Sequence, residues 1–188
     1  MPSSTTASVL TVEDDPAARS DLRRMLEHAG YSVCPDARDG IEAVDLARQH
    51  RPDLILIDVA LPLLDGVEAT RRILDERDVP IVALLHGGNE AHAEQATAAG
   101  AAAHVLKPVS ESALVGTVSD VLAERATRDE WHRRNLLVLI ESLQRSGLSE
   151  HEITAAVNET SAAGVRVRSL ARPASRRTAF PWLRAVRD

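Results

Sequence analysis

Four charged residues stand where buried strands should end. Leu54–Ile57 is a run of four apolar residues leading straight into Asp58, and a turn with Pro62 and Asp65-Gly66 follows. Such a run, bounded by turn signals, suits a parallel strand buried on both faces. Ser8–Val12 likewise ends in Glu13-Asp14, and His104–Leu106 ends in Lys107. Carboxylates converging on one sheet edge repel one another unless a cation lies between them. Mg²⁺ suits such a place, because it takes oxygen ligands and keeps several waters. A carboxylate beside a metal and a lysine can attack phosphorus, with the two cations neutralising the transferring phosphoryl group.

The elements that would position these groups follow from spacing. Strands are expected at Ser8–Val12, Tyr31–Ala37, Leu54–Asp58, Ile81–Leu85 and His104–Leu106. Between them, helices are marked by Leu22, Met25, Leu26 and Ala29, by Ile41, Val44, Leu46 and Ala47, and by the stretch 67–76. Asn89 is expected to cap a fourth helix and Ser110 a fifth, which carries Leu114, Val118, Val121 and Leu122 on one face. Pro16 suits the first turn of the first helix, with Asp15 before it as cap. Five strands alternating with five helices predict an α/β fold, a doubly wound five-stranded parallel sheet covered on both faces. Ligands of such sheets bind at the carboxyl edge, where Glu13, Asp14, Asp58 and Lys107 fall.

Composition narrows the classes. The chain of 188 residues is 44% hydrophobic but only 2% aromatic, so aromatic stacking on nucleic-acid bases has almost no residues to work with. A single cysteine, Cys34, excludes an internal disulfide and fits a reducing cytoplasm, and it reads as a small core residue. No apolar run is long enough to span a bilayer, and MPSSTTA lacks the pattern of a signal peptide, so a soluble cytoplasmic protein without membrane contact is expected. The net charge of −6 is unevenly spread. Residues 1–128 hold 12 Lys/Arg and 21 Asp/Glu, a net −9, whereas residues 129–188 hold 10 Arg and 7 Asp/Glu, a net +3. An acidic front and a basic rear suggest two functions.

The front resembles the receiver domain of bacterial two-component response regulators. The matching pieces are VEDDP at 12–16, DVALPLLDG at 58–66, VPIVAL at 79–84 and GAAAHVLKP at 100–108. The resemblance implies a flavodoxin-like receiver over residues 1–125. It also implies that Asp58 accepts a phosphoryl group from a histidine kinase or a small phosphodonor. Glu13, Asp14, Asp58 and the backbone carbonyl of Ala60 would hold Mg²⁺, and Lys107 would pair with the phosphoryl oxygens. Asp15 falls at a variable family position and reads as a helix cap. Receivers often pair through their fourth and fifth helices, so a homodimer is an expectation of the resemblance. Catalysis is expected only of the domain's own phosphorylation and dephosphorylation.

Two positions depart from the family pattern. Receivers usually carry Thr or Ser at the end of the fourth strand and then a small residue, where this chain has Leu85 and His86. Leu85 cannot supply the hydrogen bond that the hydroxyl gives the phosphoryl group, which contributes about 1.5–3 kcal/mol. His104 stands where the family usually has Tyr or Phe. Hydroxyl and ring are lost together, so the usual coupling between them is not expected. His86 reads as an exposed loop imidazole and His104 as a packed, partly exposed side chain.

The rear reads as a helical linker at 126–134, an output domain at 135–172 and a flexible basic tail at 173–188. Ser149 and Glu152 form a capping-box pattern, and Ser161 is expected to open a further helix after a turn at Asn158–Thr160. GLSEHEITAAVNETSAAGVRVRSLAR resembles the DNA-binding helix-turn-helix of sigma-factor region four and of small output domains. That resemblance puts Arg166, Arg168 and Arg172 against DNA. GLSEHEITAAVNETS also resembles the RNA-binding antiterminator (ANTAR) module, a three-helix domain attached to some receivers. A third reading is a phosphorylation-independent receiver acting through a protein partner. From Val165 to Arg187 the chain has seven Arg and no acid.

Overall fold

The computed structural model describes residues 6–87 and 90–162. Five strands alternate with helices in chain order: β1 Ser8–Val12, α1 Pro16–His28, β2 Ser32–Val33, α2 Gly40–His50, β3 Leu54–Asp58, α3 Gly66–Glu76, β4 Ile81–His86, α4 Glu90–Ala98, β5 Ala103–Lys107, α5 Glu111–Arg145 and α6 Glu150–Ala162. All the strand pairs are parallel, in the order β2-β1-β3-β4-β5, so the doubly wound expectation holds. The order reverses between β1 and β3, and ligands of open α/β sheets sit at such switch points.

Both faces of the sheet are covered because successive strand residues point to opposite sides. Leu10, Val12, Ile55, Ile57 and Ile81 pack with Ala43 and Ala47 of α2 and Ala69 and Ile73 of α3. Val9, Leu54, Leu56, Val82 and Leu84 pack with Leu22 and Leu26 of α1 and Leu114, Val118 and Val121 of α5. Each large apolar side chain buried this way contributes about 1.5–3 kcal/mol. The sheet is thereby rigid where its strand ends carry the charged residues.

Aspartates start three helices. Asp15 accepts from the Ala18 amide at 2.7 Å, Asp39 from Ile41 and Glu42 at 2.8 and 2.9 Å, and Asp65 from Glu68 at 2.8 Å. Each satisfies an amide that the first helical turn leaves without a partner. Asn89, expected to cap α4, lies outside the described residues.

Three expected elements differ. The second strand is not Tyr31–Ala37 but Ser32–Val33, with a separate bridge between Val12 and Ala37. Pro35 has no amide to give the ladder, and Asp36 turns its carboxylate to Arg23 Nη2 at 2.8 Å and Thr11 Oγ1 at 2.5 Å. The boundary expected at Asn135, between helical linker and output domain, is not a break: α5 continues through it to Arg145. No Gly or Pro lies between Thr117 and Ser146, and pairs such as Arg134–Glu130 and Arg145–Glu141 support the exposed turns. The third difference is at Asn158–Thr160, where a turn was expected and α6 runs straight through to Ala162. None of these residues breaks a helix as Gly or Pro does. The predicted helix over 162–172 lies beyond, outside the described residues.

The chain divides into two compact units, Met1–Thr127 and Arg128–Asp188. In the second, Gly147 takes φ +80 and ends α5, and Ser149 then caps α6. Ser149 Oγ and Glu152 Oε2 lie 2.7 Å apart, and the Ser149 amide donates to the same carboxylate at 2.9 Å. No helix among the described residues is long and apolar enough to cross a membrane.

Candidate functional site

The carboxyl ends of β1, β3 and β5 bring the acid pair, the lone aspartate and the lysine together. Glu13, Asp14 and Asp58 each offer a carboxylate oxygen within 4.8 Å of the others. Glu13 and Asp58 are buried at 1% exposure, and Asp14 faces solvent. Lys107 Nζ lies 2.6 Å from Glu13 Oε2 and also donates to Asp58 Oδ2. The other oxygen, Asp58 Oδ1, accepts from the Ala60 amide at 2.9 Å. Asp58 therefore has a fixed rotamer, with one oxygen on the main chain and the other on an ammonium.

Burial pushes the Glu13 carboxyl above its usual range, the Asp58 charge pushes the same way, and Lys107 only partly offsets them. Burial alone would pull Lys107 down, but the hydrogen bonds and charges of Asp58 and Glu13 hold it above the usual lysine range. One lysine thus faces two buried acids and a third close by. That excess of negative charge and hard oxygen donors fits a small divalent cation such as Mg²⁺.

Two residues shape the site that the sequence reading did not single out. Arg19 Nη1 donates to the carbonyls of Glu13 and Asp14, at 2.7 and 3.2 Å, and clamps the backbone of the acid pair. Its signal was a lone arginine just over one helical turn after the acids. Gly66 abuts the back of Asp58: a Cβ there would stand 2.0 Å from the Asp58 carbonyl oxygen. The Gly66 amide also donates to the Val59 carbonyl at 3.0 Å, so α3 begins directly against the strand end. The motif suggested only a turn.

Leu85 is 1% exposed and packs with Val59, Ala83 and Ala96, so apolar contact fills the place of the missing hydroxyl. His86 is exposed but is the last residue of β4, in register with Lys107, rather than a loop residue. His104 is exposed on β5, opposite Ala83. Arg166, Arg168 and Arg172 lie outside the described residues.

Known proteins are similar to this chain. The family model for the response regulator receiver domain matches residues 9–119. The transcriptional regulatory protein PdtaR of Mycobacterium tuberculosis is 42% identical over 110 residues, which are 58% of this chain and 54% of PdtaR. The chain thus spans about half the length of that relative. The polar-differentiation response regulator DivK of Brucella anthropi is 35% identical over 120 residues, 62% of this chain and 97% of DivK. Among solved structures, the receiver domain of a Pseudomonas aeruginosa sensor histidine kinase, with a magnesium ion coordinated in its active site cleft, is 34% identical. It aligns with a TM-score of 0.59 over 63% of this chain and 99% of that one. With the sheet order, the acid cluster and the lysine all in place, the chain belongs to the response regulator receiver domain family.

Proposed function

We propose that this chain is a response regulator whose Asp58 accepts a phosphoryl group from a phosphohistidine of a histidine kinase, or from a small acyl phosphate. The observation that carries the reading is the buried Asp58 held between the Ala60 amide and Lys107, beside Glu13 and Asp14. The amide fixes Oδ1 and so aims Oδ2 at the incoming phosphorus. As that oxygen forms its bond to phosphorus, the bond from phosphorus to the donor breaks, at the imidazole nitrogen of a phosphohistidine or the acyl oxygen of an acyl phosphate, and the donor leaves as imidazole or carboxylate. Lys107 then passes from the carboxylate to a phosphoryl oxygen. Glu13, Asp14, Asp58 and the Ala60 carbonyl would hold Mg²⁺, which would supply further neutralisation of the phosphoryl charge. On this reading the catalysis assigned to the chain is that of its own phosphorylation and dephosphorylation. With Mg²⁺ and acetyl phosphate, intact-mass measurement is expected to show one added phosphoryl group. No addition, or addition that survives Asp58→Asn, refutes the reading.

We infer further that the helical rear controls transcription by binding structured RNA. Its support is the course of α6, which runs through Asn158–Thr160, where a helix-turn-helix needs its turn. The antiterminator resemblance covers the same residues, GLSEHEITAAVNETS, and PdtaR, similar over its matched part, is a transcriptional regulatory protein. Fluorescence anisotropy of the full chain against RNA hairpins and duplex DNA decides between them. Binding to DNA alone would restore the helix-turn-helix reading, and binding to neither would favour a protein partner.

A further inference from the structure

A second charged site lies at the opposite edge of the sheet. Between α2 and α3, next to the start of β3, a cleft of about 190 Å³ is floored by Val44, Ala47 and Ile73 and rimmed by Arg48, Arg51, Glu76 and Arg77. Pockets for drug-sized ligands enclose about 300–1,000 Å³, so this one suits a smaller molecule.

The acids around it are already engaged. Glu76 takes a bidentate pair from Arg48, with Nε to Oε2 at 3.0 Å and Nη2 to Oε1 at 2.7 Å. Asp45 also pairs with Arg48, at 3.1 Å. Asp53 accepts from the amide and hydroxyl of Ser8, each at 2.8 Å, and Asp78 pairs with Arg125 at 2.7 Å. Two guanidinium groups are left over. Arg77 Nη2 donates to the Arg51 carbonyl at 3.2 Å, but Arg77 Nη1 is buried without a hydrogen-bond partner among the described residues. The Arg51 side chain has no ion pair among the described residues. A buried guanidinium nitrogen with no acceptor is expensive, and here it sits beside a cavity. Burial lowers the Arg77 pKa, and the charges of Arg51 and Arg125 push the same way against Asp53. The local field lacks an anion.

We propose that this cleft binds a small oxyanion, a carboxylate or phosphate on a short apolar group, with Arg77 and Arg51 donating to its oxygens and Val44, Ala47 and Ile73 against its apolar part. The guanidinium fork matches both oxyanions, and neither arginine must first break an ion pair with an acid. The site is independent of Asp58, which closes β3 at its far end.

The test is isothermal titration calorimetry of the full chain, without Mg²⁺ and at constant ionic strength, with butyrate and inorganic phosphate as probes. At least one is expected to bind a single saturable site with a Kd of about 1 mM or tighter. Arg77→Met and Arg51→Met are each expected to weaken it at least about tenfold, whereas Asp58→Asn binds like the parent. Arg77→Met should also unfold at the same or a higher temperature, since it removes the buried unpartnered donor. Arg51 is exposed, so its variant keeps the fold, and unchanged binding by Arg51→Met overturns the proposal. So does the absence of saturable heat from both probes. A lower unfolding temperature of Arg77→Met with binding unchanged makes Arg77 a structural clamp on the Arg51 carbonyl and overturns it too.

Discussion

Glu13 concentrates the conflict of the phosphoryl site in one carboxyl. A pKa raised by folding means that the folded state disfavours the ionised form. Ionised Glu13 therefore costs stability, and that cost grows as pH rises from the usual carboxylate range through the raised value. Without metal, Glu13→Gln is expected to unfold at a higher temperature than the parent at neutral pH, as scanning calorimetry would show. Mg²⁺ should raise the transition of the parent and leave that of Glu13→Gln nearly unmoved. Leu85 carries the opposite lesson. It sits where the family has a hydroxyl, yet it is packed like any core leucine among Val59, Ala83 and Ala96. Leu85→Thr should lower stability by about 2–4 kcal/mol in denaturant titrations, because it opens space and buries a hydroxyl. Beryllium fluoride should then stabilise this variant more than the parent, by supplying an acceptor for that hydroxyl.

At the scale of elements, the site depends on how α3 meets β3. The start of α3 touches the strand end so closely that Gly66 has no room for a Cβ. Gly66→Ala must push the Asp58 carbonyl aside, and overpacking of this kind costs about 1–3 kcal/mol. Weaker Mg²⁺ binding should accompany the loss, measured by calorimetric titration, although residue 66 is not itself a ligand. In α6 the capping box sets a carboxyl rather than a metal site. Hydrogen bonds from the Ser149 hydroxyl and amide hold the exposed Glu152 below the usual carboxylate range. A depressed folded pKa stabilises above the unfolded value and is lost as pH falls through the folded one. Ser149→Ala should therefore move the Glu152 titration, followed by NMR, upward toward an ordinary glutamate.

For the whole molecule, charge separates the tasks. Residues 1–128 carry a net −9 and residues 129–188 a net +3. A phosphate backbone would be repelled by the first segment and attracted by the second. Nucleic-acid affinity is expected to fall linearly with salt on logarithmic axes, and Arg166→Ala should reduce the slope by about 1 if that side chain meets a phosphate. A slope unchanged in both Arg166→Ala and Arg168→Ala would move the contact elsewhere. The two units, which divide after Thr127, match this separation of charge closely.

The sequence by itself determined the sheet and the ownership of its carboxyl edge. Continuous apolar runs such as Leu54–Ile57 and Ile81–Leu85 leave little choice but strands buried on both faces. Glu13, Asp14, Asp58 and Lys107 were therefore legible as one cluster before any coordinates. Beyond the short β2, the unbroken α5 and the Arg19 clamp, three things were not. Whether Asn158–Thr160 turns or stays helical rests on differences of a few tenths of a kcal/mol per residue, too small for local propensity to decide. That Gly66 is a contact rather than only a turn residue needed the packing of α3 on β3, which is a distance between segments. The arginine cleft was invisible because its significance lies in which acids are already taken. Arg51 and Arg77 lie 26 positions apart, and only the tertiary structure shows Glu76, Asp53 and Asp78 bonded elsewhere and those two charges left together.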